Sequence, residues 1–275
     1  MSDNLAVPET ERRAGRGLST NLKSRIVWGS ALAAIALALT YAGPIPFAGL
    51  VLVIALFVSW EWGRMVRGLS ADVAFFVQAI AVTAAVVLTT AGHAALAVAV
   101  IVTAAIILIP LVFGRGARLS ALGAFYVGLP SISLIWLRQD GPYGFLAVLL
   151  IFAVVWSSDI AAYAAGRAIG GPKLWPRISP NKTWAGLMGA AAACVIAGAI
   201  CAEVLYTSPL RLMLLTLGLS LVAQAGDLGE SALKRLFGFK DASVLIPGHG
   251  GLMDRLDGFT TVAPMFVIFS TIASF

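Results

Sequence analysis

The sequence carries little charge and few of the residues that hold metals or form disulfides. Only 12% of its 275 residues are charged and 60% are hydrophobic, whereas about 25% charged residues is usual in soluble domains. Its two cysteines, Cys194 and Cys201, lie in one apolar run, which predicts packed thiols rather than a disulfide or a metal site. These shortages exclude an ordinary soluble domain and a disulfide-stabilised fold.

Several common catalytic motifs are also missing. The sequence has no Walker A motif, no glycine-rich dinucleotide fingerprint, no HExxH and no serine nucleophile elbow. It also shows no solenoid repeat. Any enzymatic activity must therefore depend on a different arrangement of residues.

Long apolar runs dominate the chain instead. A membrane-spanning helix needs about 20 apolar residues, and the sequence predicts an all-α, polytopic integral membrane protein. The seventh run is rich in glycine and alanine, which permits close helix packing within the chain or across a dimer. The predicted spans are 26–42, 44–60, 73–91, 94–113, 120–137, 144–165, 184–205, 209–227 and 258–275.

Basic residues predict the orientation of these nine spans. With the N-terminus in the cytoplasm, 17 of the 19 Lys and Arg residues fall on the cytoplasmic side, as the positive-inside rule requires. The C-terminus then lies outside. Because topology accounts for the net charge of +6, the sequence predicts no nucleic-acid partner.

The chain divides into three predicted regions. Residues 1–25 form a basic cytoplasmic tail, which lacks the features of a cleavable signal peptide. Residues 26–143 hold five scaffold helices. Residues 144–275 form a membrane domain of four spans, which carries a catalytic site on its cytoplasmic face.

One polar segment, residues 227–258, interrupts the apolar runs. It holds five of the thirteen acids and one of the two histidines, and such a cluster beside a membrane indicates a functional site. Two sets of its residues have spacings that place side chains on one helix face: Asp227, Glu230, Ser231 and Lys234, and then Asp254 and Asp257.

A glycine-rich stretch, Ile246-Pro-Gly-His-Gly-Gly-Leu252, separates these two sets. It cannot hold a helix, but it can form a tight loop whose N–H groups approach an anion. Carboxylates for a divalent cation, bases for phosphates and such a loop are the parts of a phosphoryl- or nucleotidyl-transfer site. The alternative is a solvated hairpin, and the ordered acids on both sides of the loop argue against it.

Two further polar groups precede this segment. Asp159 and Tyr163 share a helix face at the end of the sixth span, where an aspartate needs a partner, a cation or water. The alternative is a buried partner for Arg167 or for a neighbouring base. The sequence SPNKTW then places Lys182 and Thr183 at a helix start, which can hold an anion. The alternative there is a basic membrane anchor.

The run from residue 231 to 257, SALKRLFGFKDASVLIPGHGGLMDRLD, resembles the signature of phosphatidate cytidylyltransferases (CDP-diacylglycerol synthases). The segments around Asp159 and Lys182 look like elements of the same family, so the resemblance covers about residues 156–258. The chain departs from the family at Asn181, where lysine is frequent, and at Ala185, where glutamate is frequent. The resemblance therefore gives less support to a functional role for Asn181 or Ala185.

The resemblance implies an integral enzyme of the bacterial inner membrane, with its site facing the cytoplasm. It implies that CTP and phosphatidate give CDP-diacylglycerol and pyrophosphate with Mg²⁺, among membrane lipids and in a homodimer.

Spacing and resemblance together predict the site residues. The predicted metal ligands are Asp227, Asp254 and Asp257. The predicted catalytic residues add Ser231, Lys234, His249 and Arg255. The predicted substrate-binding residues, mainly phosphate contacts, are Lys182, Thr183, Arg235, Lys240, Gly250 and Gly251. The predicted supporting residues are Asp159, Tyr163, Glu230 and Asp241.

Three other activities compete with this hypothesis. An anion transporter would also use membrane acids and bases, but inverted repeats with interrupted spans are not evident. A CDP-alcohol phosphotransferase would need an Asp-Gly-x₂-Ala-Arg array, which is absent. A polyprenol kinase that uses CTP would differ only in its acceptor, so an acceptor assay must exclude it.

Overall fold

The computed structural model describes residues 20–69, 71–112, 115–243 and 250–272. These residues are mostly helical, which confirms the all-α prediction. A single 3₁₀ turn, Gly141–Tyr143, and one small hairpin interrupt the helices. The helices are α1 Thr20–Ala42, α2 Pro44–Arg67, α3 Val73–Thr90, α4 Ala94–Leu111, α5 Arg115–Arg138, α6 Gly144–Ala168, α7 Trp184–Leu205, α8 Pro209–Leu236 and α9 Met253–Ile272.

Seven helices of the described chain, α2 to α8, are long and apolar enough to cross a membrane. The protein is therefore a polytopic membrane protein. Helix α1 contributes a shorter apolar stretch, Val27–Ala42, and α9 begins with charged residues. That α1 and α9 also span, for nine spans in all, stays a prediction.

Several helices extend further than their apolar runs predicted, and α2, α8 and α9 bear on the site. Helix α2 continues to Arg67 instead of residue 60, and α8 continues to Leu236 instead of residue 227. Helix α9 begins at Met253, five residues before the predicted span. Polar residues prolong α8 because side chains four apart bond to each other, and because Lys234 in the last turn offsets the helix dipole.

Helix α5 connects the two predicted membrane regions. It packs against α2, α3 and α4 on one side and against α6 and α9 on the other. Its residues approach α2 closely: a Cβ atom at Gly123 would lie 2.3 Å from Nε1 of Trp62. Residues 26–143 and 144–275 therefore meet along α5.

The glycines of α7 serve contacts within this chain. A Cβ atom at Gly189 would lie 2.5 Å from Cβ of Ala165 on α6, and one at Gly198 would lie 2.3 Å from Oγ1 of Thr216 on α8. These close approaches let α7 pack between α6 and α8. The small residues of α7 could pack within the chain or across a dimer, and these contacts show that they pack within the chain.

A short β-hairpin between α6 and α7 was not predicted. Strands β1, Lys173–Trp175, and β2, Ser179–Thr183, pair antiparallel, whereas the sequence analysis placed both in a loop. Its prolines are tolerated because both strands of a two-stranded hairpin are edges. Helix α7 begins directly after Thr183, and Nζ of Lys182 lies 3.4 Å from the carbonyl oxygen of Gln224 on α8.

Candidate active site

A buried lysine joins the end of α8 to the start of α9. Nζ of Lys234 lies 3.0 Å from Oε1 of Glu230 and 2.6 Å from Oδ1 of Asp254. These three side chains are at most 10% exposed, so little water screens the two ion pairs. The two carboxylates occupy two of the three N–H donors of the Lys234 ammonium group.

Glu230 has a second partner, which comes from α5. The hydroxyl group of Tyr126 donates a hydrogen bond to Oε2 of Glu230. The Tyr126 ring lies against Trp62 on α2, with 4.8 Å between ring centroids. Glu230 is thus held from two sides, by Lys234 and by Tyr126, and its supporting role in the site stays a prediction.

The carboxylate of Asp254 contacts the described backbone on either side of residues 244–249. Oδ2 of Asp254 accepts hydrogen bonds from the backbone N–H groups of Ala242, at 2.9 Å, and Gly251, at 2.8 Å. Gly250 adopts a φ of 83°, which favours glycine. The Gly251 N–H could bind a phosphate only if it first released the carboxylate of Asp254. His249 lies outside the described residues.

A second cluster surrounds Asp227, one to two turns before Lys234 on α8. Oδ2 of Asp227 lies 2.5 Å from Nζ of Lys182, and Oδ1 accepts a hydrogen bond of 3.4 Å from Ser231. The Lys182–Asp227 pair borders a cleft of about 200 Å³ between α6, the hairpin and α8. Asp159, Tyr163 and Thr183 also line this cleft.

Asp257 shares the electrostatic environment of this second cluster. Burial raises the pKa of the Asp257 carboxyl well above its ordinary value, and the negative charge of Asp227 adds to this effect. Glu230 and Asp159 act in the same direction. Asp257 therefore lies close enough to these three acids to be affected by their charges.

The predicted metal ligands were tested against this geometry. In the described ranges, no three His, Cys, Asp or Glu side chains are placed to bind one metal ion. Mg²⁺ commonly uses only one or two protein carboxylates, with water and substrate phosphates as the other ligands. Asp227 and Asp257 would supply two such carboxylates, and metal binding by them stays a prediction. Asp254 as a ligand stays a prediction, since both its oxygens already have partners.

The other predicted bases and acids are exposed at the same end of the molecule. Arg235 donates hydrogen bonds to the carbonyl oxygens of Ile178, at 3.4 Å, and Phe239, at 3.0 Å, so it ties α8 to the hairpin. The exposed residues at this end also include Lys240, Asp241 and Arg255. Their roles in substrate binding stay predictions.

The predicted anion site at the start of α7 is partly occupied by the protein itself. The side chain of Thr183 caps the helix by accepting a hydrogen bond of 3.1 Å from the Gly186 N–H. Tyr163 is exposed and accepts a 3.3 Å hydrogen bond from Arg167. Arg167 therefore pairs with Tyr163 instead of with Asp159, the alternative partner considered above.

One buried acid, Glu61 on α2, was not predicted from the sequence. It is 0% exposed, and its oxygens accept hydrogen bonds from the N–H groups of Leu252 and Met253 at 2.9 and 2.7 Å. The predicted span ended at residue 60, so Glu61 was counted as a loop residue. A lone acid between two tryptophans in an apolar run was the available signal. Tyr126 was missed because an apolar helix gives no such signal.

Replacing Gly251 by alanine tests how tightly this loop is packed. The added Cβ would lie 2.8 Å from Oε1 of Glu61 and 3.0 Å from Oδ2 of Asp254. We expect the variant to lose about 1–3 kcal/mol of stability, measured by thermal unfolding in detergent. The control is Gly229→Ala on α8, where a Cβ would meet nothing within 4 Å. Equal stability of the two variants would contradict this packing.

The whole arrangement lies in a region shared with a known family. The sequence pattern of the cytidylyltransferase family matches residues 23–273. The chain belongs to this family.

Curated relatives agree with this assignment. The chain is 41% identical over 258 residues to a protein of Brucella suis biovar 1 (strain 1330) named phosphatidate cytidylyltransferase, covering 92% of this chain and 94% of the relative. A Bacillus subtilis (strain 168) protein of the same name is 41% identical over 145 residues, 52% of this chain and 54% of the relative. One from Staphylococcus haemolyticus (strain JCSC1435) is 40% identical over 153 residues, 52% and 55% respectively.

Proposed function

We propose that this protein is a phosphatidate cytidylyltransferase, which joins CTP and phosphatidate to give CDP-diacylglycerol and pyrophosphate. The observation that carries the proposal is the Lys182–Asp227 pair, which borders a cleft at the polar end of apolar helices. A lipid phosphate and a nucleotide can meet at such a boundary. The names of the relatives support the same reaction.

The chemistry needs little proton transfer. A phosphate monoester has a second pKa of about 6, so the lipid phosphate is largely dianionic at neutral pH and is itself the nucleophile. One of its oxygens forms a bond to the α-phosphorus of CTP. The bond from that phosphorus to the bridging oxygen of the β-phosphate breaks, and pyrophosphate leaves with the electron pair. The protein's task is to bring two polyanions together in line.

The residues of the cleft divide this task between them. Lys182 is placed to bind a phosphate oxygen once one enters beside Asp227. The exposed Arg235, Lys240 and Arg255 supply positive charge where a triphosphate would approach, and His249 is assigned to a phosphate oxygen. Asp227 and Asp257, with Asp254, would hold Mg²⁺, which when bound would neutralise and orient the phosphates.

We further propose the membrane arrangement that the sequence predicts. All nine helices would span the membrane, with the N-terminus and the active site in the cytoplasm and the C-terminus outside. The seven long apolar helices and the bacterial relatives support a bacterial inner-membrane location. The distribution of basic residues supports the orientation. A homodimer is part of this proposal.

The deciding experiment uses the purified protein with CTP, Mg²⁺ and phosphatidate. We expect pyrophosphate release together with formation of a CDP-lipid. Diacylglycerol serves as the control acceptor. Phosphorylation of diacylglycerol without pyrophosphate release would reveal a lipid kinase instead, and inactivity of folded protein with both acceptors would overturn the proposal.

A further inference from the structure

Glu61 is a fully buried acid with three hydrogen-bond donors around it. Its Oε1 accepts from the Ser243 hydroxyl, at 2.5 Å, and from the Leu252 N–H, at 2.9 Å. Its Oε2 accepts from the Met253 N–H at 2.7 Å. A carboxylate inside a membrane protein is costly unless such partners satisfy it. The environment is therefore built to hold a carboxylate at this position.

Two of the three donors around Glu61, the N–H groups of Leu252 and Met253, belong to the start of α9. Met253 is the first residue of that helix, and its N–H would otherwise be one of the unsatisfied groups at a helix start. A carboxylate at this end also interacts favourably with the helix dipole. Glu61 on α2 thus caps α9 although it lies about 190 residues earlier in the sequence. A helix cap usually comes from the residue directly before the helix.

This cap controls the placement of the proposed reacting groups. Asp254 directly follows Met253, and Asp257 lies three residues beyond Asp254, about 4.5 Å further along the helix axis. A rotation or fraying of the first turn of α9 would move both carboxylates relative to Asp227 on α8. The neighbour of Glu61, Trp62, contacts Tyr126, which bonds Glu230. Helix α2 therefore supports the site at two points.

We propose that Glu61 is a positioning residue of the nucleotidyl-transfer site, which fixes the start of α9 so that Asp254 keeps its contact with Lys234 and Asp257 stays near Asp227. The catalytic role that this inference gives to Glu61 depends on the proposed function. It assigns an active-site task to a helix in the region predicted to be scaffold. Glu61 itself touches no substrate.

The sharpest test is Glu61→Gln, which keeps the size of the side chain. In one orientation of the amide its NH₂ group faces the Met253 N–H, and in the other it faces the Leu252 N–H. One helix-start donor therefore loses its acceptor in either case. We expect kcat to fall about 10–100-fold, as for supporting residues of metal sites, while KM for both substrates changes little.

A second measurement reports on α9 without any substrate. Hydrogen–deuterium exchange of the peptide covering residues 250–258 should be faster in Glu61→Gln, with the rest of the protein unchanged. Glu61→Asp keeps the charge but is about 1.5 Å shorter. It is therefore expected to exchange at a rate between those of the wild type and the glutamine variant.

The matched control is Ser59→Ala, on the same helix. Ser59 is equally buried, but it accepts its hydrogen bond from Gln78, at 3.2 Å, instead of from α9. The Ser59→Ala variant should change neither kcat nor the hydrogen–deuterium exchange of residues 250–258. The proposal is overturned if Glu61→Gln matches the wild type in exchange and kcat, or if Ser59→Ala produces the same losses. Because exchange needs no nucleotide, wild-type inactivity with CTP and phosphatidate would refute the proposed function separately.

Discussion

Asp227→Asn is expected to lower kcat for pyrophosphate release by about 1,000-fold or more. The substitution keeps the size of the side chain but removes a negative charge 2.5 Å from Nζ of Lys182. A carboxylate that orients a cation and two phosphate groups contributes several kcal/mol to catalysis, and each 1.36 kcal/mol corresponds to a factor of ten. The loss should persist at saturating CTP, because the charge acts on the reacting phosphates.

The same substitution should leave the protein inserted and folded. Asp227 is only half-buried, and α8 is long and apolar on its N-terminal side. The matched control is Asp140→Asn, since Asp140 is an exposed acid between α5 and α6 and should retain full activity. Expression level, thermal unfolding in detergent and kcat are measured for both. Near-normal turnover by Asp227→Asn would remove Asp227 from the proposed cation site.

Lys234→Met is expected to destabilise the protein by about 3–5 kcal/mol. The substitution preserves much of the side-chain volume but removes the ammonium group between Glu230 and Asp254. Two largely buried carboxylates are then left without their cation, and unpaired buried charges have costs of this size. Since about 1 kcal/mol shifts the melting temperature of a large domain by about 2–4 °C, a fall of about 10 °C or more is expected.

Two further variants test the cause of this loss. Lys240→Met removes an exposed ammonium group and should change the melting temperature little. Adding Glu230→Gln to Lys234→Met should restore part of the stability, because one of the two uncompensated charges is gone and Tyr126 can still donate to the amide oxygen. If Lys234→Met were as stable as Lys240→Met, the two ion pairs would contribute nothing measurable.

The helical spacing of the polar residues was the most informative signal in the sequence. It predicted that Asp227, Ser231 and Lys234 share a helix face, and in α8 the hydroxyl of Ser231 does contact Asp227. Such contacts are local, because residues four apart on a helix are neighbours whatever the rest of the fold is. Apolar length likewise located most helices, since a membrane span must satisfy its own backbone.

The contacts between distant residues could not be predicted in this way. Glu61 and Met253 are 192 positions apart, and Tyr126 and Glu230 are 104 apart, so one sequence gives no sign that they meet. The hairpin was missed for a different reason. Its strands are short and contain or adjoin prolines, a composition that is typical of loops.

The cap on α9 has a consequence for how the protein is made. Glu61 leaves the ribosome about 190 residues before Leu252 and Met253, which need its carboxylate. Until α9 has been synthesised and has docked against α2, the nascent chain carries an acid without these donors and a helix start without its cap. The proposed site therefore forms only after two distant parts of the chain have met in the membrane.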